Sequence, residues 1–206
     1  MSICHIICAG EEGGLPFSPA DDDYVIAADG GLAYAERYGI RTDAVIGDFD
    51  SLGYSPEHGN VLTLPVRKND TDTLAAVRYG LDKGYRRFRL YCALGGRSSH
   101  TVANIQTLAY IALSGGRGEM ISDREVFTVI RNSEIDFPAG MRGEISVFSL
   151  TEESHGVRES GLEYPADGIT VTSEFPIGVS NAFTGAPSSV GVEDGILLII
   201  YENDRK

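Results

Sequence analysis

Short apolar runs that alternate with helical periods constrain this chain most. Ile3–Cys8, Tyr24–Ala28, Ala44–Ile46, Val61–Leu64 and Phe88–Tyr91 are each bounded by turn residues and have the length of strands. Between and after them, Leu74, Val77 and Leu81 keep one face of a helix, as do Val102, Ile105, Ala109 and Ala112. Strands joined by crossover helices read as a parallel sheet, so the first part is expected to be a doubly wound α/β fold.

From about Glu125 the texture changes. Val126–Ile130, Glu144–Phe148, Ile169–Thr172 and Gly195–Tyr201 are strand-like but are separated by Gly, Pro, Asn and Asp instead of helical stretches. A small antiparallel β-sandwich is expected there, giving two domains, 1–131 and 132–206. No repeat or low-complexity linker separates them, and 206 residues at 42% hydrophobic can supply a core without metal or disulfide staples. Cys4, Cys8 and Cys92 sit inside apolar runs, an odd count that reads as buried reduced thiols. The amino terminus has no basic stretch ahead of an apolar run, and nowhere do about 18 uncharged apolar residues follow one another, so a cytoplasmic protein is expected.

A net charge of −13 argues against nucleic acid as a partner. If such a chain handles a phosphorylated ligand it must reverse its own field locally, through Mg²⁺ or helix amino termini. Candidates for both are present. Gly47-Asp48-Phe49-Asp50-Ser51 follows the strand Ala44–Ile46, where open α/β sheets bind ligands. If the backbone stays extended there, Asp48 and Asp50 project to one side as hard oxygen ligands and Phe49 to the other as an apolar anchor. Turn capping is the competing role for an isolated Asp-x-Asp.

Asp70-Thr71-Asp72 opens the helix of Leu74, Val77 and Leu81; a cap accounts for Asp70 or Thr71 but leaves Asp72 open to the same crevice. Two carboxylates about 4 Å apart repel by up to roughly 4 kcal/mol at an effective dielectric of 20, so a cluster implies a cation. Asp29-Gly30-Gly31 forms a strand-to-helix junction where main chain can approach a ligand, and Gly95-Gly96-Arg97-Ser98-Ser99-His100 forms another, with donors suited to phosphate oxygens. The plainer roles are a turn for the first, and for the second a serine cap with Arg97 in solvent. Lys68 is either a surface lysine or a counter-charge to phosphates. The acidic run Asp21–Asp23 reads as a solvated loop. No nucleophile elbow, Walker loop or complete dinucleotide fingerprint is present, which argues against a hydrolase triad, a P-loop kinase or a dehydrogenase.

In order and spacing, Asp29-Gly30-Gly31, Gly47 to Ser51, Lys68 to Ala76, Gly95-Gly96-Arg97 to Ile105 and Ser180-Asn181 resemble the thiamine pyrophosphokinase family over nearly the whole chain. The most specific parts are GDFDS and the GGR block with His100, Asn104 and Ile105. The resemblance implies an ATP-binding α/β domain, a β-sandwich that helps bind thiamine, and a homodimer with sites between subunits. Carried over by position, Asp48, Asp50 and Asp72 would hold Mg²⁺ and the ATP phosphates, with catalysis shared by Arg97. Asp29, Gly30, Gly31, Lys68, Thr71, Gly96, Ser99 and His100 would line the nucleotide path, and Ser180 and Asn181 would touch thiamine. Three positions depart from the family pattern: Ser99 and Asn69 stand where Asp is usual, and Leu74 where Glu is common. Two rivals stay open: a diphosphokinase for another small heterocyclic alcohol such as a pterin, because phosphate machinery does not identify the acceptor, and, from Ser99 and Asn69, a nucleotide-binding regulatory module without catalysis.

Overall fold

The structure, a computed structural model, describes residues 2–49, 59–63 and 70–203. Asp50, Ser51, Leu64, Lys68 and Asn69 lie outside the described residues. The chain divides into two compact units, Met1–Asp123 and Arg124–Lys206. The first contains β1 (Cys4–Ile7), β2 (Tyr24–Ala28), α1 (Gly31–Tyr38), β3 (Ala44–Gly47), β4 (Val61–Thr63), α2 (Asp72–Asp82), β5 (Arg87–Tyr91), α3 (Ser98–Leu113) and β6 (Arg117–Ile121). Its strands lie in the order β6-β5-β1-β2-β3-β4, every pair parallel. The sheet is wound outward in both directions from β1, the doubly wound α/β fold expected from the alternation. Its two faces carry different helices. Cys4 of β1 lies against Gly80 of α2, while Ile7, of opposite parity along the strand, packs with Val25 and Ala35 of α1.

The helices are rotated relative to the faces their periodicity suggested. In α2 the buried residues are Thr73, Ala76, Val77 and Gly80, with Leu74 and Leu81 only half-buried. A β-carbon on Gly80 would stand 2.7 Å from the Phe88 ring, so close seating of helix on sheet selects small residues and leaves the leucines at the margin. In α3 the buried set is Asn104, Thr107, Leu108 and Ile111, and Val102 is 56% exposed. Hydrophobicity alone misreads this face because two of its inward positions are polar.

Cys4, Cys8 and Cys92 are free and buried. Burial first, with Asp43 and Asp23 adding to it, pushes the Cys4 thiol up to about 12; burial does the same for Cys8. Asp23, read from sequence as part of a solvated loop, is instead a tie. Its carboxylate accepts from the Ile3 and Ala20 amides and meets the buried His5 Nε2 at 3.0 Å. His5 Nδ1 lies 3.2 Å from the Tyr91 hydroxyl, so a neutral ring that donates through Nε2 and accepts at Nδ1 satisfies all three groups. Phe17 stacks on both His5 and Tyr91.

The second unit contains β7 (Glu125–Arg131), β8 (Glu134–Phe137), β9 (Glu144–Ser149), β10 (Glu153–Ser160), β11 (Ala166–Thr172), β12 (Asn181–Ala182), β13 (Ser188–Gly191) and β14 (Ile196–Glu202). They form two antiparallel layers, β12-β9-β14-β7 and β11-β10-β13-β8, over a core that includes Phe137, Val147, Val157, Phe183, Val190 and Ile199. This is the expected sandwich. β7 pairs with β14 along its whole length, so the boundary read after residue 131 falls at the end of the second unit's first strand.

Two predictions follow from the packing of the first unit. A β-carbon on Gly31 would lie 2.0 Å from the Ile7 carbonyl oxygen, so Gly31→Ala lowers stability by about 3 kcal/mol or more, or yields no folded chain, in urea denaturation. Burial lowers the His5 pKa, an effect that Asp23 only partly offsets, so the unfolded chain takes up the proton first. Stability is therefore full above about pH 6.5 and declines as pH falls below it. Thermal melts from pH 7 to 5 should show that decline, and His5→Asn should flatten it.

Candidate active site

β1 pairs in parallel with β5, Cys4 opposite Phe88 and Ile7 opposite Tyr91. From β1 the sheet grows to one side through β2, β3 and β4, and the chain then returns to β5 on the other. The loops leaving the carboxyl ends of β1 and β5 mark this topological switch, where an open α/β sheet gapes. They run side by side: Gly10 N–H donates to Cys92 O and Glu11 N–H to Leu94 O. A cavity of about 570 Å³ opens there, lined from β1 by Cys8, Ala9 and Gly10 and from β5 by Ala93, Gly95, Gly96 and Arg97.

The remaining walls come from the starts of the helices. Asp29 precedes α1, Asp70 to Thr73 open α2, and His100 and Asn104 belong to α3; with Asp48 after β3 they complete the lining. Amino ends of several helices thus border one cavity, where free N–H groups and the helix dipoles favour anions. In α2 the Thr71 hydroxyl caps the helix by accepting from the Leu74 amide at 3.2 Å, and Asp70 pairs with Arg78 at 2.6 Å. The cap weighed for this triplet is therefore Thr71, and Asp70 is held by Arg78.

At α3 the sequence suggested a serine cap. The N-cap is instead Arg97, with no side-chain cap, so the hydroxyls of Ser98 and Ser99 do not occupy the helix end. Gly95 and Gly96 both have positive φ, 71° and 62°, which turns the chain from β5 into α3 without a side-chain clash. Asn104, 6% exposed, donates from Nδ2 to the Ala93 carbonyl at 2.7 Å and fastens α3 to the end of β5. In the sequence Asn104 stands out only as part of the GGR block, since a helical Asn gives no sign of facing inward until the buried helix face is known.

Of the predicted nucleotide and metal residues, Asp29, Asp48, Thr71, Asp72, Gly96, Arg97 and His100 line this one cavity. Gly30 is the N-cap of α1 and Gly31 its first residue, and Ser99 is exposed on the first turn of α3. Asp50 and Lys68 lie outside the described residues. The extended backbone envisaged through Asp48 and Asp50 does not hold: Phe49 has φ 61° and packs against Ala27, Leu32 and Val45. The aromatic anchor is real, but a left-handed residue sits between the two carboxylates.

Among the described residues four carboxylates, Asp29, Asp48, Asp70 and Asp72, line the cavity. They are hard oxygen donors and fit a divalent cation such as Mg²⁺ that keeps part of its water shell. Among the described residues no three His, Cys, Asp or Glu side chains come close enough to form a ligand group on their own. Cys8 also lines the cavity, but burial pushes its thiol up to about 12 against the Thr73 hydrogen bond that lowers it, which makes it an apolar wall.

Ser180 and Asn181 belong to the second unit, where they line a separate concavity of about 310 Å³ with Glu159, Tyr164, Ile169 and Val179. The Asn181 carboxamide is saturated within the chain: Oδ1 accepts from the Tyr164 and Ala182 amides, and Nδ2 donates to Glu159 Oε2 and the Tyr164 carbonyl. Ser180 has φ 58°, and its amide donates to Ser146 Oγ. Among the aromatic residues of this unit, Phe183 is core, while Phe175 and Tyr164 are each 65% exposed.

Residues 19–116 match the family model described as thiamin pyrophosphokinase, catalytic domain. A thiamine pyrophosphokinase of Bacillus subtilis (strain 168) is 22% identical over 214 residues, spanning 99% of this chain and 100% of its own. Among solved structures, thiamine pyrophosphokinase from Bacillus subtilis superposes with a TM-score of 0.87 at 22% identity, covering 99% of this chain and 100% of that one. Thiamin pyrophosphokinase from Candida albicans gives 0.76 at 15%, covering 98% and 89%. At such identities the structural likenesses speak to the fold. Asn104→Ala removes the strut between α3 and β5; it should cost about 1.5 kcal/mol and speed amide exchange at residues 94–97 about tenfold, read by hydrogen exchange mass spectrometry.

Proposed function

We propose, for a chain that belongs to the thiamine pyrophosphokinase family, the transfer of diphosphate from ATP to the hydroxyl of thiamine, with AMP as the second product. The enzyme acts in the cytoplasm as a homodimer. The observation that carries the reading is the cavity at the β1/β5 switch, where acidic residues, Arg97 and helix amino ends meet. A site of this kind suits a polyphosphate that arrives with a divalent cation.

In this reading the hydroxyl oxygen of thiamine attacks the β-phosphorus, a new O–P bond forms, and the bond from that phosphorus to the oxygen bridging the α-phosphate breaks. AMP leaves with the bridging oxygen, and the hydroxyl proton passes to solvent. Asp48, Asp50 and Asp72 would hold Mg²⁺, which when bound supplies neutralisation of the non-bridging phosphate oxygens. Arg97 and the first-turn amides of α3 hold the phosphates in line, and His100 and Lys68 add donors along the path. Main chain at Asp29, Gly30 and Gly31 lets the nucleotide approach the sheet closely. Thr71 holds Asp72 in place through its cap. Ser99 leaves one fewer carboxylate beside the phosphates than the family pattern has, and Asp29 and Asp70 remain on the cavity wall. The acceptor occupies the concavity around Ser180.

Purified chain with ATP, Mg²⁺ and thiamine should release AMP and thiamine diphosphate in equal amounts. AMP with a pterin alcohol but not with thiamine would favour the other acceptor class, and ATP binding without AMP under either would favour a regulatory module. Asp72→Asn should lower kcat by about 10²–10³ while the fold is kept; a change under threefold would remove Asp72 from the site.

A further inference from the structure

Glu159 carries a carboxylate where the sandwich would ordinarily bury an apolar side chain. It lies on β10, whose alternation buries Ser154, Val157 and Glu159 and exposes Arg158 and Ser160. A carboxylate therefore occupies an inward position of the sandwich, opposite Ala166 on β11 and Val190 on β13. It is 5% exposed, yet it reaches the wall of the 310 Å³ concavity. Its one hydrogen-bond donor among the described residues is Asn181 Nδ2, at 2.8 Å from Oε2. Burial pushes its carboxyl above the usual range, with the Asn181 bond pulling the other way.

A buried carboxylate with a single neutral amide partner is costly, whereas a charged or N–H-bearing partner would compensate it. Among the described residues the rest of the concavity offers no such partner: its lining holds no Lys, Arg or His, and Tyr164, Ile169, Val171, Ile177 and Val179 are apolar or aromatic. Tyr164, Ile177 and Val179 are also exposed, as a wall awaiting a flat ligand would be. Asn181 spends its whole carboxamide on holding Glu159 and the Tyr164 backbone, so it orients the carboxylate and leaves ligand contact to it.

We propose that Glu159 is the specificity-determining residue of this concavity, its carboxylate accepting a hydrogen bond from the amino group of a cationic amino-heteroaromatic ligand. This deepens the acceptor reading above by naming which chemical group of the acceptor is recognised, and it rests on that reading for the identity of the ligand.

Calorimetric titration of the full chain with thiamine alone tests it independently of turnover. Glu159→Gln keeps the shape and removes the charge. It should weaken thiamine binding about tenfold or more and raise KM for thiamine alike, with kcat and KM for ATP within twofold. Should Glu159→Gln fail to fold by thermal melt, the unmodified chain decides: the thiamine analogue whose pyrimidine amino group is replaced by hydroxyl should bind about tenfold or more weaker than thiamine. Unchanged thiamine affinity in folded Glu159→Gln, equal affinity for the two ligands, or no thiamine binding to the unmodified chain would each overturn the proposal. Binding that depends on Glu159 in a chain that releases no AMP would uphold it while the diphosphotransfer reading fails.

Discussion

The parallel pairing of β1 with β5 is the constraint from which the site derives. Hydrogen bonds fix Cys4 opposite Phe88 and Ile7 opposite Tyr91, and the pairing continues past the strand ends as Gly10 and Glu11 bond to Cys92 and Leu94. Because the chain leaves β1 toward β2 and returns to β5 from β4, the two loops part after this shared stretch, and the helices that follow begin around the gap. A site at a switch point needs no dedicated phosphate loop; the amino ends of α2 and α3 come to it through chain connectivity. Asn104 on Ala93 and Thr71 on Leu74 then fix local geometry in which the side chains Arg97 and Asp72 are carried.

An acidic chain that handles polyphosphate faces a field problem, and the cavity deals with it by arrangement more than by net charge. Carboxylates and the Arg97 guanidinium share one lining. The acidic residues suit a divalent ion, and the helix termini and Arg97 suit the anion that accompanies it. In the reading proposed here the cation is a part of the substrate's recognition, which lets the protein keep a net charge of −13.

Much of this was legible in the sequence because the relevant signals are local. Strand lengths, the change of texture near residue 125 and the strand-to-helix junctions follow from short-range pattern, and the junctions at Asp29, Asp72 and Arg97 do line one cavity. What escaped is non-local. The helix faces were misjudged where the sheet selects Gly80 and Ala76 over leucine, and where α3 turns Asn104 inward to a carbonyl 11 residues earlier. The left-handed Phe49 could not be inferred from a residue type that rarely adopts it. Asp23 looked like one member of a solvated acidic run until its partners, His5 and the Ile3 amide, were brought beside it by β1. Glu159 carries no signal in sequence at all, since a Glu in an alternating strand is ordinarily on the wet face.

The most direct measurement is a crystal structure of the full chain with Mg²⁺ and an ATP analogue that resists cleavage between the α- and β-phosphates. The phosphates are expected between Asp48, Asp72 and Arg97, against the amino end of α3 and with the metal on the aspartates. A nucleotide bound elsewhere, with the β1/β5 cavity filled only by water, would contradict it.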